Sequence, residues 1–225
     1  MGGRGSTSGL SQQVQAPAPI QFLTLTGSSE DEFFDDLEDS YDINTVLAIQ
    51  QYIRQDVQSN GYTMSQNMNH KMENGMTLNA NETYVRNRLQ AAMHPLGKNM
   101  ILTRAAHKDF LEALGVKNYQ NMTDAQLNAA VSGAEYTEKK FVSAAVDASK
   151  NPFVSGPVSG GREVYIRIHA PSDTKGVMGN RSQSEVILSD GVKFRATGAH
   201  FDGTTARPRV GGLLPRVVVD VQVIE

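Results

Sequence analysis

Cysteine is absent from the 225 residues, which removes disulfides, thiolate nucleophiles and cysteine-ligated zinc at once. The absence does not choose a compartment, because a reducing cytosol and a disulfide-free secreted protein both permit it. Also missing is any apolar run long enough to span a bilayer. The opening MGGRGSTSGL is polar and lacks the apolar stretch of a secretory signal, so neither a membrane partner nor export by that route is expected. His70, His94, His107, His169 and His200 never recur at metal-ligand spacing, and no metal site is expected. No strand is followed by G-x-G-x-x-G, and neither G-x-x-x-x-G-K-[ST] nor G-x-S-x-G occurs, leaving Rossmann dinucleotide sites, P-loops and hydrolase elbows without support.

Charge of one sign is also scarce, since 24 acids nearly balance 21 Lys and Arg. The balance is uneven along the chain. Eight of the acids (Glu30, Asp31, Glu32, Asp35, Asp36, Glu38, Asp39 and Asp42) form one block, so the chain after Asp42 holds 16 acids against 20 bases. That mild excess tolerates an anionic ligand such as a dinucleotide. It is too small and too dispersed for a nucleic-acid partner.

The organisation is read as a tail and one domain. Residues 1–42 are Gly-, Ser-, Gln- and Pro-rich and then acidic, which predicts a disordered polar and acidic tail, with Phe33, Phe34 and Leu37 set among the carboxylates either as a solvated segment or first helical turn, or as a motif that docks on a partner or covers a basic cleft. From Ile43 the apolar spacing turns helical, and helices are expected from Ile43 to near Asn60-Gly61, from Thr83 to Met93, from Ala105 to Leu114 and from Thr123 to Val131. A short buried strand is expected at 99–104. After Gly133 come β-branched alternating runs at 141–143, 163–169, 184–188, 192–197 and 216–223. A helical lead (43–132) before a β-rich core (133–225) predicts an α+β fold, N-terminal helices packed on a mixed or antiparallel sheet. Ser189-Asp190-Gly191 between two alternating runs reads as the turn of a β-hairpin. At the mouth of that hairpin, Gln183-Ser184-Glu185 puts a carboxamide and a carboxylate two residues apart, on one face of a strand.

Four stretches stand in a telling order: Ile101-Leu102-Thr103-Arg104, Phe141-Val142-Ser143-Ala144-Ala145, Gly161-Arg162-Glu163-Val164-Tyr165-Ile166-Arg167-Ile168, and Gln183-Ser184-Glu185-Val186-Ile187-Leu188. Arg104 precedes Ser143 by 39 residues, and Ser143 precedes Glu185 by 42. Over about Ile43 to His200 this resembles the ADP-ribosyltransferase superfamily of the Arg-Ser-Glu class, in the Gln-x-Glu variant of the Rho-modifying exoenzymes. The polar start is similar to phage-encoded proteins.

The resemblance implies a mono-ADP-ribosyltransferase that takes NAD as substrate, releases nicotinamide and modifies a partner protein. Glu185 would stabilise the cation that develops on the ribose, and Gln183 would select an acceptor side chain other than arginine. Arg104 would clamp the diphosphate, Ser143 would orient Glu185 or meet the nicotinamide ribose, Arg162 would contact the cofactor and Phe153 would support the nicotinamide. The cytoplasm of a host cell, or a virion, is the expected place of action. Alanines at 144 and 145 replace hydroxyls of the family's Ser-Thr-Ser segment. Two alternatives therefore stand beside the transferase: an eroded scaffold docked on a phage head, and an NAD glycohydrolase with water as acceptor.

Overall fold

Alternating apolar residues and well-capped helices account for most of the architecture in the computed structural model, which describes residues 20–150, 162–206 and 214–224. Helix α1 (Ser28–Glu38) comes first and corrects the expectation of a disordered tail over this stretch. Phe33, Phe34 and Leu37 recur at helical spacing, so one face of α1 is apolar and buried while Asp31, Glu32, Asp35 and Asp36 point to solvent.

Helix α2 (Ile43–Ile53) starts at Asp42, whose carboxylate accepts the Thr45 amide at 2.7 Å. It ends seven residues before Asn60, because residues 54–60 offer no apolar stripe to bury. Helices α3 (Met64–Glu73) and α4 (Ala80–Ala92) each open with a capping box, Thr63 with Gln66 and Asn79 with Glu82. The three pack through Ile49, Tyr52, Met68, Val85 and Leu89 onto Phe141 and Ile187.

The strands β1 (His94–Pro95) and β2 (Met100–Ala106) follow. Because β2 runs to Ala106, the helix expected from Ala105 shrinks to α5 (Asp109–Ala113). Then come α6 (Asp124–Val131), β3 (Glu135–Thr137), β4 (Val142–Ala145), β5 (Val164–Ala170), β6 (Lys175–Met178), β7 (Glu185–Leu188), β8 (Lys193–Ala206) and β9 (Leu214–Val223).

The strands lie in the order β1-β6-β7-β4-β2-β5-β9-β8-β3. All neighbouring pairs are antiparallel except β5 with β9. The mixed sheet with its helical lead is the α+β arrangement expected. The hairpin is not. Strand β7 pairs with β4 and β6, whereas β8 pairs with β9 and β3, so the Ser-Asp-Gly turn joins strands from opposite parts of the sheet. Val186, Ile187 and Leu188 are all fully buried, which leaves β7 a central strand with apolar cover on both faces. Asp190 in the turn is held by α4 instead, accepting from Arg86 at 2.7 and 3.0 Å and from Gln90 at 2.9 Å.

Strands β4 and β2 meet only where Thr103 faces Ala145, and beyond that point they part. The sheet thus divides into a half made of β1, β6, β7 and β4 and a half made of β2, β5, β9, β8 and β3. Among the described residues, no helix is long and apolar enough to cross a membrane.

Candidate active site

The parting of β2 and β4 opens a cleft, and the sequence places chemistry along it. Ser143 faces Ile187 across the β4/β7 pair and Ala145 faces Glu185, so strand alternation puts Ser143 and Glu185 on one face. That face is the one on which α2, α3 and α4 pack, and the cleft begins where their apolar contacts stop. Arg104 reaches the seam from the other half, its Nη1 donating to the Ser143 carbonyl at 3.0 Å. Arg162, just ahead of β5, donates Nη1 to the Ala105 carbonyl at 2.9 Å.

Five of the six expected site residues, Arg104, Ser143, Arg162, Gln183 and Glu185, line this one cleft of about 280 Å³. Phe153 lies outside the described residues. The far wall comes from the helical lead, with Gln55, Thr63, Ser65, Gln66 and Asn69. The Thr63-x-x-Gln66 capping box was the sequence signal that could have located this wall. Behind it Tyr52 is fully buried and exchanges a hydrogen bond of 3.0 Å with Asn69. Burial raises the Tyr52 phenol above its ordinary pKa, so it stays neutral and fixes the Asn69 amide. Arg104 and Arg162 also border a second cavity of about 360 Å³, floored by Ile166, Ile168 and Phe194.

No hydrogen bond joins the Ser143 hydroxyl to Glu185. The Glu185 carboxylate is anchored by backbone instead: Oε2 accepts the Asn180 amide at 2.8 Å. Gly179 makes the fit possible, since a Cβ there would lie 2.5 Å from Oε2 and 2.8 Å from Cδ of Glu185. A residue with any side chain would push the carboxylate aside. Gln183 ends a 3-10 turn (Arg181–Gln183) and is exposed at the rim. Ser184 then adopts left-handed backbone, φ 54 and ψ 34, and its side chain is fully buried. Successive side chains therefore point out, in and out, with Gln183 and Glu185 presented to the cleft.

Neither charged end of the cleft is neutralised. Among the described residues, no carboxylate lies within 4 Å of the Arg104 guanidinium, and no cation within 4 Å of the Glu185 carboxylate. A half-buried cation and a half-buried anion, each left without a counter-charge, form a dipolar slot suited to an anionic ligand with a developing positive centre. No group of three His, Asp or Glu side chains placed to hold a metal is found among the described residues.

No protein-family model matches the chain, and no curated protein matches its sequence. Solved structures do match in fold. C3stau2 from S. aureus, solved with NAD, superposes with a TM-score of 0.63 at 15% identity, covering 92% of this chain and 100% of that one. An ADP-ribosyltransferase from Clostridium botulinum, solved in a triclinic form, gives 0.60 at 15% identity over 91% of this chain and 100% of the other. The ADP-ribosylating toxin BECa of a C. perfringens binary enterotoxin, solved with NADH, gives 0.57 at 18% identity over 87% of this chain and 46% of that one. The chain spans the whole of the first two and about half of the third. Its fold is that of the ADP-ribosyltransferases. All three are bacterial proteins, which lends nothing to a phage origin.

Proposed function

We propose that the protein is a mono-ADP-ribosyltransferase that uses NAD as substrate, releases nicotinamide and transfers ADP-ribose to a side chain other than arginine on an acceptor protein. One observation carries the reading. Residues from β2, β4, the start of β5 and the turn before β7 converge on a single cleft in which Arg104 and Glu185 lack counter-charges among the described residues. The NAD and NADH in the structures of C3stau2 and BECa support that choice of substrate.

The chemistry follows from the residue types. The planar fork of the Arg104 guanidinium matches diphosphate oxygens. Breaking the bond from ribose C1′ to nicotinamide sends the electron pair to the ring nitrogen and leaves an oxocarbenium cation. Glu185, held by the Asn180 amide, supplies the negative charge that lowers that barrier. The acceptor's nucleophilic atom then bonds to C1′ and gives up its proton. Gln183 offers a neutral carboxamide at the rim, which can hydrogen-bond an acceptor but cannot pair with a guanidinium's charge, so an arginine acceptor is disfavoured.

Incubation with labelled NAD and a cell lysate should label a protein, with stoichiometric nicotinamide. Glu185→Gln should lower nicotinamide release by on the order of 10²–10³-fold. Release without any acceptor protein would mark an NAD glycohydrolase. Neither release nor a thermal shift with millimolar NAD would leave a scaffold.

A further inference from the structure

Glu30, on α1, is 1% exposed and is not used by the chemistry above. It lies 154 residues before Ser184, yet its Oε1 accepts the Ser184 hydroxyl at 2.5 Å. The same carboxylate accepts both contacts of Lys150 Nζ, at 2.9 and 2.8 Å, just beyond the end of β4. Ser184 has no other freedom: its amide donates to the Arg181 carbonyl at 3.0 Å and its carbonyl accepts the Val146 amide at 2.9 Å. The grip continues on either side. Arg181 pairs with Asp35 at 2.7 Å and Glu38 at 3.3 Å, and the Met178 amide donates to the Tyr41 hydroxyl at 2.8 Å.

We propose that α1 is a buckle for the reacting turn and that Glu30 is its positioning residue: by drawing Ser184 inward it forces Gln183 and Glu185 outward into the cleft. The physical reason lies in the backbone. A serine in left-handed conformation is disfavoured, and the hydrogen bond to a buried carboxylate, for which no solvent competes, holds its side chain inward. Lys150 pairs with that carboxylate and ties it to the strand carrying Ser143. The turn before β7 and the segment after β4 are thus fixed to one another through a residue that does not line the cleft. The acidic block has a use beyond solvation: its inward member sets the geometry of the site.

The test reads the turn directly as well as through catalysis, and only the catalytic arm rests on the transferase reading. Glu30→Gln should keep the fold, since a carboxamide oxygen still accepts from Ser184, but its NH₂ then faces the Lys150 ammonium. Amide exchange across residues 179–185 should rise about tenfold in Glu30→Gln and in Ser184→Ala, with β5 and β9 unchanged. The kcat for nicotinamide release should fall on the order of tenfold or more, because misplacement by a fraction of an ångström is enough. KM for NAD should stay within about twofold, because Arg104 lies on β2 and outside the buckle. Exchange at 179–185 that does not move in Glu30→Gln, or that rises equally throughout the chain, would overturn the proposal. If the native protein releases no nicotinamide while the exchange still rises at 179–185, the buckle stands and the transferase reading falls.

Discussion

The solvent-facing side of the β5/β9 pair and the cleft use the same residue types in opposite ways. On the former, Arg167 faces Asp220 across parallel strands and donates to both its oxygens, at 2.7 and 2.6 Å, with His169 Nε2 at 3.3 Å. Nearby, Arg195 is paired with Glu135 at 2.7 Å, and Arg216 with Asp202. In the cleft, Arg104 has only a carbonyl and Glu185 only a backbone amide among the described residues. A paired guanidinium is spent on structure, whereas an unpaired one retains its capacity for a ligand. The contrast sets the role proposed for Arg104 apart from that of the paired arginines without recourse to similarity.

Among the variants that test this contrast, the largest effect should come from making Arg104 resemble an ordinary surface cation. Arg104→Lys retains the charge but loses the fork, so KM for NAD should rise by about ten- to a hundredfold. The melting temperature should move by less than about 2 °C, because no ion pair among the described residues is broken. A large drop in melting temperature with unchanged KM would place Arg104 with the structural arginines and break the comparison.

The next effect concerns the anion. Gly179→Ala places a methyl group where the Glu185 carboxylate now sits, since the distances of 2.5 and 2.8 Å cannot be tolerated. Either the carboxylate rotates or the turn shifts, and kcat should fall by roughly tenfold or more while NAD binding by calorimetry persists. A variant with full kcat would show that the seat of Glu185 beside Gly179 is not the reacting one.

How much of this could be read from the sequence depends on the range of the interaction. Strand β7 was legible as a strand from Val186-Ile187-Leu188, and Arg104, Ser143 and Glu185 from their order, since each is a local pattern. The partner of β7 was not, because a short apolar run beside a turn looks the same whether the next strand folds back or crosses to the other half of the sheet. Helix α1 was concealed by the acidic block, six of whose eight acids lie within the helix. Composition argued for solvation, while Phe33, Phe34 and Leu37 carried a helical spacing that three residues state only weakly. The roles of Gly179, Asn180 and Ser184 had no local signal, because each depends on a backbone amide or a buried carboxylate brought from elsewhere in the chain. Strands β1 and β3, with two and three residues, were too short to show alternation, and β6 has only Val177 and Met178 as apolar side chains.

The smallest effect tests the structural side of the contrast. Burial opposes the ionised form of Asp220, but the hydrogen bonds and charge of Arg167, with those of His169, outweigh it and hold the carboxyl below its ordinary pKa. A folded-state value below the unfolded one means that the native protein holds its proton less tightly, so the pair's stabilisation is fully present above the unfolded value near 3.9 and is lost as pH falls through the lower folded value. Arg167 is 42% exposed in its side chain, so solvent screening limits the gain to about 1 kcal/mol. Asp220→Asn should therefore lower unfolding stability by about that amount at pH 6–8, measured by urea denaturation, with the gap narrowing below about pH 4. Nicotinamide release should be unchanged at neutral pH, since Asp220 lines neither the cleft nor the cavity beside it. A gap that widens on acidification would reverse the sign of this linkage and deny the Arg167–Asp220 pair its structural role.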